Sequence, residues 1–260
     1  MTLHHPFHMT DNSPCPITIS MTTFSLALSI PLCLFNLTLT PFLLSSCLSL
    51  LTILLCANDM KRESSNQGFY ALFPLINLQT AMLLFILSEI LLFSSFFCTF
   101  FHSSLNPNIC IGITCPPLGI DPITPIDTPL LNTLILLGSG GSITCAHHSL
   151  LKNNYSQFKF SMVLTITLAI YFTILQKMEY NHCPFSFSDS IFSSIFFIST
   201  GFHGIHVLLG SSLLSYSLIR SFFLLFTPSH HFSFEAAACY CHFVDAVCLF
   251  LYLIIYCCGM

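Results

Sequence analysis

The chain has 260 residues, 54% hydrophobic and only 6% charged, with a mean hydropathy of +0.83 and a net charge of −4. Soluble domains carry about 25% charged residues, so this composition excludes a chain that clothes itself in a water-facing surface. The acidic balance and the lack of a basic patch exclude a nucleic-acid binder.

Seven apolar segments follow one another: Ile17–Phe35, Pro41–Ala57, Leu78–Phe101, Pro129–Leu151, Phe158–Met178, Ser188–Phe223 and Phe234–Cys258. Each approaches or exceeds the roughly 20 apolar residues that a helix needs to cross a bilayer. The expected fold is an all-α membrane protein with seven transmembrane helices in one transmembrane domain, residues 1–260. Ahead of them, MTLHHPFHMTDNSPCP shows neither a signal nor a transit pattern, so the helices themselves are expected to drive insertion. The polar break Asn36 to Thr40 reads as a tight helical hairpin. Asn58 to Ala71 then separates two helices from five. The resulting division is 17–57 as a two-helix hairpin, 58–77 as an inner-side loop and 78–258 as a five-helix bundle. Between the third and fourth spans, five prolines from Asn106 to Thr128 predict an extended surface loop. The sixth segment is long enough to tilt or to project from the bilayer.

Basic residues give the orientation. Lys61, Arg62, Lys152, Lys159 and Arg220 fall on one side of a seven-span topology and Lys177 on the other. The positive-inside rule puts the N-terminus inside and the C-terminus outside.

The third span holds one acidic residue, Glu89, near its middle. A carboxyl there costs at least about 2.5 kcal/mol on insertion scales, so it needs a partner or a role. Phe85 and Phe93 share its face, and no Lys or Arg lies within two turns. Two readings follow: a carboxyl hydrogen-bonded to a neighbouring helix, or a proton-exchanging or reactive group facing a partner subunit or buried water. In the fourth span Gly138, Ser142 and Ala146 form a small-residue stripe that admits a close neighbour. His147 and His148 follow at its inner end, suited to interfacial hydrogen bonding. His203 and His206 lie one turn apart in the sixth span. They read as buried histidines bonded to neighbouring helices or, with His242, as haem or copper ligands. In the last span Glu235 sits near the inner end, while His242 and Asp245, three apart, can pair across one face. Arg62 and Arg220 could hold phospholipid headgroups, or Arg62 could simply mark the inner side. The fourteen Cys fall mostly in apolar helices at spacings that match neither a zinc site nor a disulfide framework.

Several long stretches resemble one family, cytochrome c oxidase subunit III. They are LFILSEILLFSSFFCTFFHSSL, CPPLGIDPITPIDTPLLNT, SGGSITCAHHSLL, SDSIFSSIFFISTGFHGIHVLLGS and HHFSFEAAACYCHFVDAVCLFLYLIIYCCG. The resemblance implies a two-helix and a five-helix bundle parted by a lipid-holding cleft. It implies a core, non-redox subunit of mitochondrial cytochrome c oxidase, which reduces oxygen to water with proton pumping. The attributed roles are to stabilise subunit I, to support proton uptake and to bind structural phospholipids. It further implies an inner-membrane location with the N-terminus on the matrix side and the C-terminus on the intermembrane-space side. Partners would be subunits I and II and accessory subunits. No cofactor, metal or catalytic residue is expected in this chain, haem a and copper lying in the partner subunits. Glu89 matches the family's buried, carbodiimide-reactive glutamate, and Arg62 and Arg220 match positions resembling its lipid contacts. One departure is systematic: Cys stands at 15, 98, 115, 145, 239, 241, 248, 257 and 258 where the family has Trp, and Trp is absent. Phe69-Tyr70 likewise replace histidines of the family.

Overall fold

A computed structural model describes residues 12–36, 38–65, 72–107, 112–223, 226 and 231–259. Seven α-helices run in chain order: α1 Cys15–Asn36, α2 Thr40–Ser65, α3 Leu72–Leu105, α4 Thr128–Leu151, α5 Tyr155–His182, α6 Ile191–Phe222 and α7 Phe232–Leu251. The last continues as a π-helical turn, Tyr252–Cys257. All seven are long and apolar enough to cross a membrane, and the described residues contain no strand.

The helix ends depart from the hydropathy pattern where local chemistry overrides it. Residues 58–65 of the expected inner loop are helical, because Met60, Lys61, Arg62 and Glu63 are good helix formers that carry α2 past the apolar segment. The third helix begins at Leu72, six residues early, with Pro74 in its first turn, where a missing N–H costs nothing. Residues 66–71, including Phe69 and Tyr70, lie outside the described residues, as do residues 1–11. The sixth helix starts at Ile191 rather than Ser188, because Ser190 caps it by accepting from the Ser193 amide at 3.0 Å. Asn154 caps α5 in the same way through the Gln157 amide.

Before that Ser190 cap, Asp189 accepts from the Ser186 amide at 2.7 Å and from the Ser186 hydroxyl at 2.5 Å. These two donors hold its carboxyl below the ordinary 3.8. The sign follows: the bonds favour the ionised form, so the order they give is present above 3.8 and is lost only as pH falls through the lowered value. The Ser186 amide is therefore expected to stay protected from hydrogen exchange as pH drops to 3.8. It should be unprotected at every pH in Asp189→Ala. Loss of protection already above 3.8, or no effect of the substitution, would contradict this account.

The chain divides into two compact units, Met1–Thr80 and Ala81–Met260. In the first, α1 and α2 pair through hydroxyl contacts, Ser29 with Ser45 at 2.8 Å and Thr22 with Thr52 at 3.1 Å. Such interhelical bonds contribute about 0.6 kcal/mol each in membranes.

The second unit holds the remainder of α3 with α4–α7. One cluster of buried rings joins Phe93, Phe100, Phe172, Phe192, Phe196 and Phe243. Phe196 packs edge-on against Phe185 at 5.4 Å and Tyr256 at 5.5 Å. A second cluster, around Phe158 and Phe234 in edge contact at 5.1 Å, closes the other end between α4, α5 and α7. The small-residue stripe on α4 is confirmed at Ser142, which bonds Thr165 of α5 at 2.6 Å, and at Ala146, fully buried. Gly138 is different: it is exposed, and a Cβ there would meet nothing within 4 Å. The close approach falls at Gly140, whose Cβ would lie 2.6 Å from Asp245 Oδ2.

Candidate functional site

The midpoint of α3 brings Glu89 against α6. Glu89 Oε2 lies 3.0 Å from His206 Nε2, with side chains 18% and 9% exposed. The sequence, read helix by helix, offers no partner for Glu89; the structure supplies the His206 imidazole from another helix. The two readings of His206 resolve into a histidine facing the carboxyl across a helix pair. Glu89 Oε2 nevertheless has no aligned hydrogen-bond donor among the described residues, so the contact is electrostatic in character. Rings wall it in: Phe93 stands 5.2 Å from His206, Tyr240 6.1 Å and Phe243 6.4 Å. Phe85, one turn before Glu89, stacks on Tyr240 at 6.1 Å. Apolar walls lower the local dielectric and strengthen any polar interaction between the carboxyl and the imidazole.

His203, three residues earlier, is buried, and neither ring nitrogen finds a hydrogen-bond partner among the described residues. This corrects the expectation of a bonded histidine. Its ring meets Phe172 edge-on at 5.7 Å and lines a cavity of about 20 Å³ with Asn132, Gln176, Thr200 and Cys248. That volume fits about one water and cannot take a haem. His242 and Asp245 share a face as expected, but His242 Nδ1 and Asp245 Oδ2 stand 3.9 Å apart and form no hydrogen bond. Asp245 Oδ2 packs instead against Gly140 of α4, within 2.6 Å of where a Cβ would stand.

Sequence reasoning missed Glu179. It lies in the last turn of α5, is 4% exposed, and accepts from Tyr256 Oη at 2.5 Å and Asn132 Nδ2 at 3.4 Å. Neighbouring Tyr180 donates to Thr200 at 2.7 Å. The apolar segment read from the sequence stopped at Met178, one residue short. The signal that could have found Glu179 was the set of polar side chains (Asn132, Gln176, Thr200, Tyr256) on several spans at one depth.

At the opposite end of these helices, Glu235 Oε1 lies 3.0 Å from His231 Nε2 and 3.9 Å from His147 Nε2. His148 stacks beside His147 at 6.3 Å. Arg220, at the end of α6, donates to Ser233 Oγ at 2.9 Å, and its guanidinium lies 5.0 Å from the Phe226 ring and 5.9 Å from that of Tyr216. Arg62, in the other unit, is exposed. All thirteen described cysteines are free thiols. In the connecting loops, burial raises the thiols of Cys115 and Cys183 above the ordinary 9.0, so neither is a reactive thiolate at neutral pH.

Residues 5–260 match the family model for cytochrome c oxidase subunit III. The chain is 47% identical to cytochrome c oxidase subunit 3 of Drosophila melanogaster over 97% of each chain. It is 46% identical to that of Aedes aegypti and 47% identical to that of Pelomedusa subrufa, again over 97% of each.

Proposed function

Since the chain belongs to the cytochrome c oxidase subunit III family, we propose that it is a core, non-redox subunit of the mitochondrial oxidase. In this reading it supports a complex that reduces oxygen to water with proton pumping. The match across almost the whole length carries the reading. It sits in the inner membrane beside accessory subunits and beside subunits I and II, which hold haem a and copper, with its N-terminus on the matrix side and its C-terminus on the intermembrane-space side. Its task is to stabilise subunit I and to sustain proton uptake. Glu89, paired with His206 inside the larger unit, is its buried reactive carboxyl. The large apolar side chains that α1–α3 leave exposed, Phe24, Leu54, Leu83 and Leu91 among them, support a surface made for lipid and for neighbouring subunits.

The direct test is purification through a tag on this chain. A complex showing the visible spectrum of haem a supports the reading; haem bound by the isolated chain would replace it with a cytochrome.

Structural phospholipids form the second part. Arg62 and Arg220 each hold a headgroup, and the guanidinium fork suits phosphate. Arg62→Ala together with Arg220→Ala is expected to lower tightly bound phospholipid and hasten loss of activity during turnover. Replacing both by Lys, which keeps the charge, should retain most of the lipid. Unchanged lipid in the double Ala variant would count against the role.

A further inference from the structure

We propose that His147, His231 and Glu235 form a binding site for a zinc-type divalent metal ion, a role outside the non-redox, cofactor-free function above. The three donors converge from two helices. His147 sits near the end of α4, His231 is the N-cap residue of α7, and Glu235 lies in the first turn of α7. Their ligand atoms all lie within 4.8 Å of one another.

Two imidazole nitrogens and one carboxylate oxygen suit Zn²⁺ rather than Mg²⁺ or Ca²⁺, which take oxygen ligands. Bonds of about 2.0–2.2 Å to a tetrahedral centre place neighbouring donor atoms roughly 3.3–3.5 Å apart. The two separations from Glu235 Oε1, 3.0 Å to His231 and 3.9 Å to His147, straddle that spacing. Residues 231 and 235 are four apart, so the helix start presents both on one face. The positions are braced: Phe234, between them in sequence, is fully buried against Phe158 and stands 6.1 Å from the His147 ring. The rings of His147 and His231 are 5.8 Å apart. His231 is 8% exposed, whereas the side chains of His147 and Glu235 are 40% and 41% exposed. A metal therefore has an entry path from solvent and room for water in its fourth position. The expectation of no metal in this chain came from the family resemblance, and the cysteine spacing that set aside a zinc site could not reveal donors brought together from separate spans.

A simple histidine–glutamate ion pair is the competing account, and zinc uptake separates the two. The complex carrying the full chain is stripped of loose metal with a chelator and titrated with ZnCl₂ against a fluorescent zinc indicator. The wild type is expected to bind one equivalent more than the His147→Gln/Glu235→Gln double variant. Its zinc X-ray absorption should show imidazole nitrogens at about 2.0–2.1 Å. His147→Gln alone should weaken that equivalent by about tenfold or more. Zinc should also raise the unfolding midpoint of the wild-type chain and leave that of the double variant unmoved, because a ligand that binds only the folded state stabilises it. Both positions are half-exposed at helix ends, and retained co-purification of haem a verifies assembly of the variants. Equal zinc stoichiometry and affinity in wild type and double variant would overturn the site. Failure of the chain to co-purify with haem a would instead sink the oxidase reading and leave the zinc comparison intact.

Discussion

His206→Leu is expected to destabilise the larger unit by about 2–3 kcal/mol, less than the ~3–5 kcal/mol seen when one partner of a fully buried pair is removed. The discount reflects Glu89, whose side chain keeps 18% exposure. Leu nearly fills the imidazole volume beside Phe93, so the loss comes from stranding the carboxyl rather than from a cavity. Glu89→Leu combined with His206→Leu removes both polar groups and should recover most of that stability, as hydrophobic replacement of buried pairs often does. The cycle, read by denaturant unfolding in bicelles, should give a coupling of about 1–3 kcal/mol. A double variant as unstable as the sum of the singles would show that the 3.0 Å approach carries no interaction energy.

The second large effect concerns the nine Cys that stand at tryptophan positions of the family. The peptide Glu235–Asp245 is expected to weigh about 166 Da more than Cys at 239 and 241 gives, a difference of two indole side chains that close packing must register. Cys and Trp share the codon box that begins UG, and organelle codes reassign UGA within it, so one misread codon would convert the whole set and spare every other residue. The geometry has room for larger side chains at the exposed positions, and not without movement at the buried ones. Cys98, Cys145, Cys239, Cys257 and Cys258 are exposed, so a larger side chain at these positions meets no packed core. The two buried ones, Cys241 and Cys248, each line a cavity of about 20 Å³. An indole needs more space than that, and Cys241 already stands only 3.1 Å from where a Gly210 Cβ would be, so α6 and α7 would separate slightly. Exchanging a buried Trp for a small side chain costs roughly 3–5 kcal/mol per site when nothing refills the volume. Unmodified Cys masses at 239 and 241 would end the idea.

Hydropathy made the seven spans legible because a bilayer leaves few other places for twenty apolar residues in a row. What lay between them was less legible: Lys61, Arg62 and Glu63 read as a polar loop, yet their helix propensity carries α2 through them. Side-chain partners were legible only within a helix. The three-residue spacing of His242 and Asp245 foretold a shared face, but not that Asp245 would pack against Gly140 of α4, where only a glycine leaves it room. Glu89 and His206 were each singled out, and their meeting depends on the α3–α6 packing, which no single-helix periodicity encodes. His147, His231 and Glu235 show the same limit, since their common point exists only after α4 and α7 are assembled.

The Glu89–His206 contact also has a history in time. Glu89 is synthesised more than a hundred residues before the histidine that faces it. At ribosomal rates of about 5–20 residues per second, α3 is in the bilayer for roughly ten seconds before α6 emerges. Through that interval the nascent chain carries an acidic group in lipid with no partner of its own. Any delay in completing α6 lengthens that interval, so the order of synthesis alone sets how long the third helix waits for its polar partner.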